Sequence, residues 1–283
     1  MIILDGKRVK NEILDNLKKE VLSLSEVPHL VVIQVGNNEA SNIYINNKAK
    51  MAAYIGYKFT HKKYPEDISE ESLITEIKKL NHDSSVHAIL VQMPLPNGIN
   101  SNNILNAIDS KKDVDGLTDI NSGALFHKID ALYPCTPSGV MELLKYYNID
   151  ITGKHAVVVG RSNLVGKPMA IMLLNAGATV TVCHSKTINL SDHTKEADIL
   201  VVATGNPHLI TADMVKPGSV IIDVGINRTN DGITGDVDFD SVSKNVSAIT
   251  PVPGGVGQMT VALLAKNILK AYKINKEGVE HDN

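Results

Sequence analysis

Two side chains suited to acid/base and stacking chemistry stand four residues apart early in the sequence. Tyr44 and Lys48 fall within a predicted helix from about Glu39 to Ile55, where residues at i and i+4 emerge from one face. A lysine becomes an acid/base catalyst when burial disfavours its charged form. A tyrosine offers a ring for stacking and a hydroxyl for hydrogen bonding. The same spacing also occurs on ordinary solvated helix faces, so its function depends on the neighbouring residues.

Three further polar residues follow predicted secondary-structure ends. Gln92 closes an apolar run, at the carboxyl end of a predicted strand, where open α/β sheets bind ligands. Its alternative is an edge-strand amide that faces water. Asp113 and Asp115 lie in a charged loop before a glycine. A carboxylate there accepts two parallel N–H bonds from an amino-pyrimidine edge, or it stabilises the turn by bonding nearby backbone N–H groups.

A second candidate site begins at residue 155. The apolar run 155–159 ends at Gly160, and a polar loop leads through Gly166 into a run of helix formers. Free backbone N–H groups and the helix dipole bind phosphate at such a turn. The usual G-x-G-x-x-G spacing is imperfect, because Ser162 replaces the second glycine and the closing glycine comes one residue late. Taken alone, the stretch indicates an ordinary strand-to-helix turn.

The next strand, 179–183, supports the nucleotide interpretation and indicates which nucleotide binds. In a dinucleotide fold an acidic residue at this strand end bonds the ribose 2′-hydroxyl of NAD. Here the strand ends at His184, Ser185 and Lys186, without an acid. Arg161, Ser185 and Lys186 are suited to the extra phosphate instead. We therefore predict NADP rather than NAD.

Composition narrows the class of protein. The chain has 283 residues with a formal net charge of −3, which favours neither nucleic acid nor an anionic membrane surface. Its two cysteines lie far apart, and its ten histidines show no metal-ligand spacing. It lacks a signal-like start and any apolar run long enough to span a membrane. We expect a soluble cytoplasmic globular protein without a metal.

The elements that position these residues alternate between strand and helix. Strands are predicted at 30–35, 58–64, 86–92, 155–159, 179–183, within the runs 198–205 and 217–227, and near 248, and helices at 7–25, 39–55, 69–81, about 102–108, 138–147, 169–174 and about 259–272. The alternation predicts an α/β fold with parallel βαβ units. Periodicity is lost over about 116–136. We therefore expect an N-terminal βαβ catalytic domain at 1–117 and a Rossmann-type NADP-binding domain at 118–283.

The segment 250–257 combines stiff prolines with glycines, which allow a ligand to approach the backbone closely. Such a run also serves as a domain linker. With this segment the chain resembles, over essentially its whole length, the bifunctional methylenetetrahydrofolate dehydrogenase/methenyltetrahydrofolate cyclohydrolase (FolD) family. The motifs that carry the resemblance are Tyr44-x-x-x-Lys48, Val91-Gln92-Met93-Pro94-Leu95-Pro96, Lys112-Asp113-Val114-Asp115-Gly116, Pro134-Cys135-Thr136-Pro137, Gly160-Arg161-Ser162-x-x-Val165-Gly166-x-Pro168 and Pro253-Gly254-Gly255-Val256-Gly257.

The resemblance implies two reactions. The first is oxidation of 5,10-methylene-tetrahydrofolate to the 5,10-methenyl form with NADP, and the second is hydrolysis of that product to 10-formyl-tetrahydrofolate. It also implies that folate lies in a cleft between the two domains. A homodimer through the nucleotide domain is expected, and a last helix, about 259–275, that packs on the N-terminal domain.

The resemblance further implies roles for single residues. The catalytic residues expected are Lys48, Tyr44, Gln92 and Asp115. Lys48 is the acid/base group, Tyr44 stacks on the folate, Gln92 hydrogen-bonds the lysine, and Asp115 holds the pterin edge. The flanking substrate contacts expected are Val91, Met93, Pro253, Gly254 and Gly255. The cofactor contacts expected are Gly160, Arg161, Ser162, Ser185 and Ile226.

The chain departs from the family pattern at two places. Gln258 stands where the family has proline. Proline is pre-organised for a first helical turn, so the absence of proline here is expected to loosen the 250–257 segment, which the resemblance places on the folate side. Leu117-Thr118-Asp119 replaces Phe-His-Pro. Two other functions are open at this point. They are a dehydrogenase with weak or lost cyclohydrolase activity, and a non-catalytic nucleotide sensor.

Overall fold

The computed structural model describes residues 1–230 and 232–281. Its contacts divide the chain into two compact units, each built from two segments. The large-sheet unit comprises Met1–Asn11 and Thr136–Leu263, and the small-sheet unit comprises Glu12–Cys135 and Leu264–Asn283. Within the described residues no helix has both the length and the apolarity needed to cross a membrane.

Helices and strands alternate through most of the chain. The strands are β1 (Ile2–Ile3), β2 (His29–Val35), β3 (Lys58–Tyr64), β4 (Ala88–Val91), β5 (His155–Val159), β6 (Thr179–Cys183), β7 (Ile199–Val202), β8 (Val220–Asp223), β9 (Asn227–Thr229), β10 (Gly232–Thr234) and β11 (Ala248–Ile249). The helices are α1 (Gly6–Val21), α2 (Glu39–Ile55), α3 (Glu70–His82), α4 (Ser101–Asn106), α5 (Asp119–Phe126), α6 (Cys135–Tyr146), α7 (Gly166–Asn175), α8 (Leu190–Thr194), α9 (Phe239–Val242) and α10 (Val256–His281), with a 3₁₀ turn at Ala212–Met214.

The small-sheet unit is built on a parallel sheet in the order β3-β2-β4. Every residue of β2 and β4 is buried, as expected of parallel strands covered on both faces. Lys112 extends the sheet beyond β4, because its carbonyl accepts the Ile89 N–H at 2.8 Å. The loop that carries Asp113 and Asp115 therefore runs beside β4 toward the same carboxyl edge.

The large-sheet unit contains a six-stranded sheet in the order β1-β11-β8-β7-β5-β6. All five pairings are parallel. The chain continues from β5 to β6 on one side and then to β7 on the other, so the direction of strand succession reverses between β5 and β7. Ligands of open α/β sheets bind at such a reversal, outside the carboxyl ends of the strands. The expected α/β fold with a Rossmann-type nucleotide domain is confirmed.

Several element boundaries differ from those expected. α6 begins at Cys135 rather than at Ser138, because Pro137 lies in its first turn, where a proline needs no N–H donor. α5 was not predicted and occupies the region without periodicity. α10 begins earlier than residue 259 and continues beyond residue 272. α1 ends at Val21 rather than at residue 25.

The two units separate at Cys135/Thr136 rather than at 117/118. Gly116 packs directly on the backbone of Tyr133, since a Cβ added at Gly116 would lie 2.4 Å from the Tyr133 carbonyl carbon. Asn267 donates to the Tyr133 carbonyl at 2.9 Å, which ties the start of the last segment to the same place. Residues 118–135 therefore belong with the small-sheet unit.

The N-terminal residues lie in the large-sheet unit. β1 pairs with β11 in parallel, and Leu4, which is fully buried, donates its N–H to the Ile249 carbonyl at 2.9 Å. The Tyr147 hydroxyl accepts the Asp5 N–H at 2.9 Å. A two-residue strand has too little sequence to show a period, so it was not predicted.

Candidate functional site

Lys48 and Gln92 meet at the carboxyl edge of the small sheet. The Lys48 ammonium donates to Gln92 Oε1 at 2.7 Å. Gln92 follows β4 directly, and its amide also donates to the Met93 carbonyl at 2.8 Å, which fixes the orientation of the side chain. Gln92 is only 9 % exposed, so it is not an edge-strand amide facing water. The predicted pair is therefore brought together.

The structure separates the roles of the two neighbouring aspartates. Asp113 is 1 % exposed, and its carboxylate accepts the Gly116 N–H at 3.0 Å, the Thr118 N–H at 2.8 Å and the Asn121 amide at 3.0 Å. It holds the turn. The Asp115 carboxylate differs from that of Asp113: among the hydrogen bonds of the described residues it accepts one, a long bond of 3.9 Å from the Cys135 thiol. Its other lone pairs are therefore available to a ligand.

Burial moves the pKa values of Lys48 and Asp115 closer to neutral pH. It lowers the pKa of Lys48, while the Asp115 charge and Cys135 act in the opposite direction. Burial raises the pKa of Asp115 to about 6, against the effect of the Lys48 charge. A lysine and an aspartate with shifts in these directions can exchange protons nearer neutral pH than exposed side chains can.

Cys135 is a member of this cluster that sequence reasoning did not select. Burial raises the pKa of its thiol well above the usual value, so the thiol is a neutral donor. It donates to the Val114 carbonyl at 3.3 Å. The only sequence signal was its place in the Pro134-Cys135-Thr136-Pro137 motif, because a lone cysteine carries no spacing information.

The remaining predicted substrate contacts of this unit surround the pair. Tyr44 lies one turn before Lys48 on α2 and is 48 % exposed, so its ring is open to a ligand. Val91 is buried as the last residue of β4. The Met93 carbonyl accepts the Ser41 hydroxyl at 3.3 Å, which links the end of the strand to the start of α2.

A tight turn joins β5 to α7 in the large-sheet unit, and we call it the phosphate cradle after the role predicted for it. Gly160 has φ +128°, and a Cβ there would lie 2.3 Å from the Ala203 carbonyl oxygen. A Cβ at Gly166 would lie 2.2 Å from the Gly160 carbonyl oxygen. Both glycines are therefore required, the first for close approach at the sheet reversal and the second for helix–strand packing.

Ser162 acts at the position where the dinucleotide pattern has its second glycine. Its hydroxyl accepts the Val165 N–H at 3.2 Å and the Gly166 N–H at 3.4 Å, which ties the loop to the first residue of α7. Arg161 is exposed in the same loop, and Ser185 is exposed just past β6, the strand that pairs with β5. The predicted cofactor residues thus share one edge of the sheet.

Sequence reasoning missed the support of the neighbouring loop after β7. Asp236 is fully buried and accepts the N–H groups of Thr204 at 2.6 Å and Gly205 at 3.0 Å. Asn227 donates to the other oxygen of Asp236 at 2.8 Å. An isolated aspartate in a loop between short strands carries no recognisable spacing, and its partners are distant in sequence.

The other predicted contacts of this unit lie near the start of α10. Ile226 is 51 % exposed and would lie 3.1 Å from a Cβ at Gly257. The Gly254 carbonyl accepts the Lys7 N–H at 3.1 Å, and Gly255 packs on Gly6, where a Cβ would lie 2.1 Å from the Gly255 carbonyl oxygen. That Pro253, Gly254 and Gly255 contact folate stays a prediction.

Gln258, the departure from proline, is held in place by two bonds. Its side-chain oxygen accepts the Lys10 ammonium at 2.6 Å. Its backbone N–H, which a proline lacks, donates to the Gly255 carbonyl at 3.1 Å. The segment before α10 is therefore fastened by these bonds where the family pattern uses a rigid ring.

Comparison with known proteins covers both units. The family model described as tetrahydrofolate dehydrogenase/cyclohydrolase, catalytic domain, matches residues 4–115. The model described as tetrahydrofolate dehydrogenase/cyclohydrolase, NAD(P)-binding domain, matches residues 134–276. Together the two matches include the Lys48 cluster and the phosphate cradle.

Individual relatives are similar over nearly the full length. A bifunctional protein FolD of Nautilia profundicola is 51 % identical over 278 residues, covering 96 % of this chain and 98 % of its own. The crystal structure of the bifunctional enzyme FolD, a methylenetetrahydrofolate dehydrogenase/cyclohydrolase, from Campylobacter jejuni is 50 % identical, with a TM-score of 0.95 and coverage of 97 % and 99 %. A FolD structure from Trypanosoma brucei, complexed with NADP cofactor and inhibitor, is 37 % identical, with a TM-score of 0.91 and coverage of 97 % and 98 %.

Proposed function

The chain belongs to the tetrahydrofolate dehydrogenase/cyclohydrolase family, and on that premise we propose how its own residues perform two reactions. The protein oxidises 5,10-methylene-tetrahydrofolate to the 5,10-methenyl form with NADP and hydrolyses that product to 10-formyl-tetrahydrofolate. The observation that carries the assignment of residues is the 2.7 Å bond between Lys48 and Gln92, with Asp115 close enough to influence the lysine.

Lys48 is the proton-transfer group of the hydrolytic reaction. Hydrolysis adds water to the bridging carbon and breaks the bond from that carbon to N5. It therefore needs a group that takes a proton from the water and returns one to the departing nitrogen. The lowered pKa of Lys48, caused first by burial, makes the neutral amine accessible. Gln92 directs the ammonium through its oxygen and thereby holds Lys48 in one orientation.

Asp115 and Tyr44 bind the folate. The Asp115 carboxylate accepts the two N–H groups of the aminopyrimidine edge of the pterin, a bidentate arrangement that fixes the plane of the ring. Tyr44, half exposed on α2, provides the face on which the folate stacks. Val91 and Met93 line the same strand end. Hydride transfer depends above all on this positioning.

The phosphate cradle fits NADP. Close backbone packing at Gly160 and Gly166 holds the polar loop and the start of α7 together at the sheet reversal, where the positive end of the helix dipole favours a pyrophosphate. Arg161 and Ser185 bind the 2′-phosphate, and Ile226 contacts the nicotinamide end. When bound, NADP accepts the hydride that leaves the methylene carbon.

The test of the dehydrogenase reaction is a spectrophotometric assay of the purified protein. We expect kcat/KM with NADP to exceed that with NAD by roughly tenfold or more, a difference that one charge-assisted phosphate contact can supply. Arg161→Ala should raise KM for NADP and leave KM for NAD unchanged, whereas Arg228→Ala, at an exposed arginine of the same unit, should change neither. NADP binding without turnover would favour the nucleotide sensor instead.

The test of the hydrolytic reaction is Lys48→Met. We expect the rate of methenyl-tetrahydrofolate hydrolysis to fall by roughly 10²–10⁴-fold, the usual contribution of a general acid/base. Lys50→Met removes an exposed lysine from the same helix and should leave hydrolysis unchanged. An unaltered rate in the Lys48 variant would remove this lysine from the mechanism. Absent hydrolysis in the wild type would favour a monofunctional dehydrogenase.

We also propose a homodimer formed through the large-sheet unit. β6 is an edge strand of the six-stranded sheet, and an unpaired edge is a template for strand addition. Exposed apolar residues lie on and near it, with Val182 at 41 % and Ile188 at 81 % exposure. Light scattering of the wild type should give twice the chain mass, and Val182→Lys should reduce it to one. A monomeric wild type would refute the dimer.

A cytoplasmic location is the last part of the proposal. Both cysteines, Cys135 and Cys183, are free and buried, which is usual in a reducing compartment. Cell fractionation that places the protein in a membrane or secreted fraction would contradict it.

A further inference from the structure

A buried asparagine on α10 reaches the backbone on both sides of the Asp115 turn. Asn267 is 8 % exposed. Its amide nitrogen donates to the Val114 carbonyl at 2.9 Å and to the Tyr133 carbonyl at 2.9 Å, and it lies 3.6 Å from the Cys135 sulfur. One side chain thus links three positions that are distant from it in sequence.

These bonds act on the backbone that sets the direction of Asp115. Val114 precedes Asp115, and its carbonyl accepts both the Asn267 amide and the Cys135 thiol. Gly116 follows Asp115 and packs on the Tyr133 backbone, whose carbonyl accepts the second amide proton. The peptide groups on both sides of Asp115 are therefore fixed by packing and hydrogen bonds, while its carboxylate is left for a ligand.

We propose that Asn267 is a positioning residue of the folate site, which holds the 114–116 turn so that the Asp115 carboxylate meets the pterin edge. The inference rests on the proposed function, since it assigns Asp115 to folate. Asn267 acts through Asp115 and does not touch the reacting atoms. A planar amide with two protons suits two carbonyl acceptors, and neither a carboxylate nor an aliphatic side chain replaces both bonds.

α10 provides a matched control two turns further on. The Asn275 amide also donates to backbone carbonyls, those of Ala271 at 2.7 Å, Lys111 at 3.3 Å and His87 at 3.4 Å. Asn275 thus makes bonds of the same kind, on the same helix, that end away from the 114–116 turn. If folate binding weakens in variants of both asparagines, the cause is the docking of α10. If it weakens only in the Asn267 variants, the cause is the 114–116 turn.

The experiment compares Asn267→Leu with Asn275→Leu in steady-state kinetics of the full chain. Misplacement of a binding carboxylate should raise KM for methylene-tetrahydrofolate by roughly tenfold to a hundredfold in the first variant. KM for NADP should stay within about twofold, because the cradle lies on other elements. A purely structural loss would lower the active fraction, and hence kcat, with both KM values unchanged. Asn267→Ser serves as a second variant, because its smaller side chain is easier to accommodate.

A second readout follows from the titratable groups that face Asp115. These are Lys48 on α2, Asp113 in the same loop and Cys135 at the start of α6. Asn267→Leu removes the bonds that hold the 114–116 turn and so changes the distances from the Asp115 carboxylate to these groups. The acid limb of kcat/KM for the folate should therefore shift in this variant and stay in place in Asn275→Leu.

The titration of Asp115, followed by ¹³C NMR of its carboxyl carbon, separates failure of the inference from failure of the function. A wild type without turnover would refute the proposed function, yet a changed Asp115 titration in Asn267→Leu alone would still support the positioning role. An active wild type, with unchanged folate KM and unchanged titration in the Asn267 variants, would overturn the inference.

Discussion

At the level of single residues, burial shifts the pKa values of Lys48 and Asp115, the two charged members of the candidate site, in opposite directions. It lowers the pKa of Lys48 and raises that of Asp115 to about 6, because each loses hydration of its charged form. Gln92 and Cys135 interact with these groups as neutral partners. The candidate site therefore contains a lysine whose neutral form is accessible. Beside it lies a carboxylate that is ionised at neutral pH although burial disfavours its charge.

This arrangement predicts that Asp115 costs stability when it is ionised. Its folded pKa lies above its unfolded value, so its favourable contribution is present below about pH 4 and is lost as the pH rises through about 6. Asp115→Asn should therefore raise the unfolding midpoint at pH 7.5 and change it little at pH 4, while weakening folate binding. Thermal unfolding at the two pH values measures the difference.

Asp223 is the control for this prediction. Burial raises its pKa to about 6 as well, but its carboxylate accepts N–H bonds from Gly225, Asp236 and Val237. An asparagine cannot accept all three, so Asp223→Asn should lower the midpoint at pH 7.5. Equal changes of the unfolding midpoint in the two variants would show that hydrogen-bond partners do not decide whether a buried carboxylate lowers stability.

At the level of elements, the sequence predicts those helices and strands whose bounds are set by local residue patterns. The bounds of α2 and β3 agree with the prediction, and Gly56 ends α2 with φ 99°, as the rule for helix ends requires. β1 and α5 were missed. β1 is too short to show a period and is stabilised by pairing with β11, while α5 depends on Thr118, whose hydroxyl accepts the Asn121 N–H at 3.3 Å.

The candidate site shows the same limit. Tyr44, Lys48 and Gln92 follow spacing and strand-end rules, but those rules also fit a solvated helix face and an amide facing water, so the family resemblance was needed to select them. Asn267 and Asp236 were missed, because their partners lie far away in sequence and only the folded chain brings them together. Asp113 and Asp115 could not be told apart by pattern, since the difference between them lies in which backbone N–H groups they meet.

The junction of β5 and α7 gives a prediction for an element boundary. Gly166→Ala places a methyl group 2.2 Å from the Gly160 carbonyl oxygen, so α7 must move away from β5. We expect a loss of about 1–3 kcal/mol in stability and at least a roughly tenfold rise in KM for NADP. Calorimetry and kinetics measure the two effects.

Gly123→Ala is the matched substitution on a helix. No atom lies within 4 Å of the added methyl group, and Gly123 is exposed in α5. A gain of about 0.5–1 kcal/mol is expected, because alanine favours helix over glycine. Similar losses at both glycines would argue against close packing as the cause at Gly166.

The start of α10 gives a second element-level prediction. Lys10→Met should destabilise the wild type and leave a Gln258→Pro background unaffected, because the Lys10–Gln258 bond is absent there. A coupling of about 0.5–1.5 kcal/mol is expected in a double-mutant cycle from denaturant unfolding. Lys7→Met, at an exposed lysine nearby, should show no coupling with Gln258→Pro. Additive effects of Lys10 and Gln258 would contradict the bond.

At the level of the whole molecule, each compact unit is built from two segments that are far apart in sequence. The first eleven residues complete the large-sheet unit, and the segment from Leu264 completes the small-sheet unit. Tyr57 illustrates the second case, because its hydroxyl donates to the Ala265 carbonyl at 3.0 Å. Substitutions at either end of the sequence therefore reach the interior.

Leu4 tests this dependence. It is fully buried in the large-sheet unit although it is the fourth residue, so Leu4→Ala should cost about 2–5 kcal/mol of unfolding free energy. Ile2→Ala, at a residue that is 50 % exposed in the same segment, should cost less than about 1 kcal/mol. Urea unfolding measures both. A small effect at Leu4 would mean that the N-terminal segment contributes little to the sheet.

The segment that begins at Leu264 also has a consequence for synthesis on the ribosome. Residues 12–135 are synthesised long before the segment from Leu264, so Asn267 cannot reach the Val114 and Tyr133 carbonyls until that segment has emerged. Until then the turn that carries Asp115 is complete in sequence but lacks these two hydrogen bonds. A nascent chain should therefore bind folate only after the segment from Leu264 has left the exit tunnel.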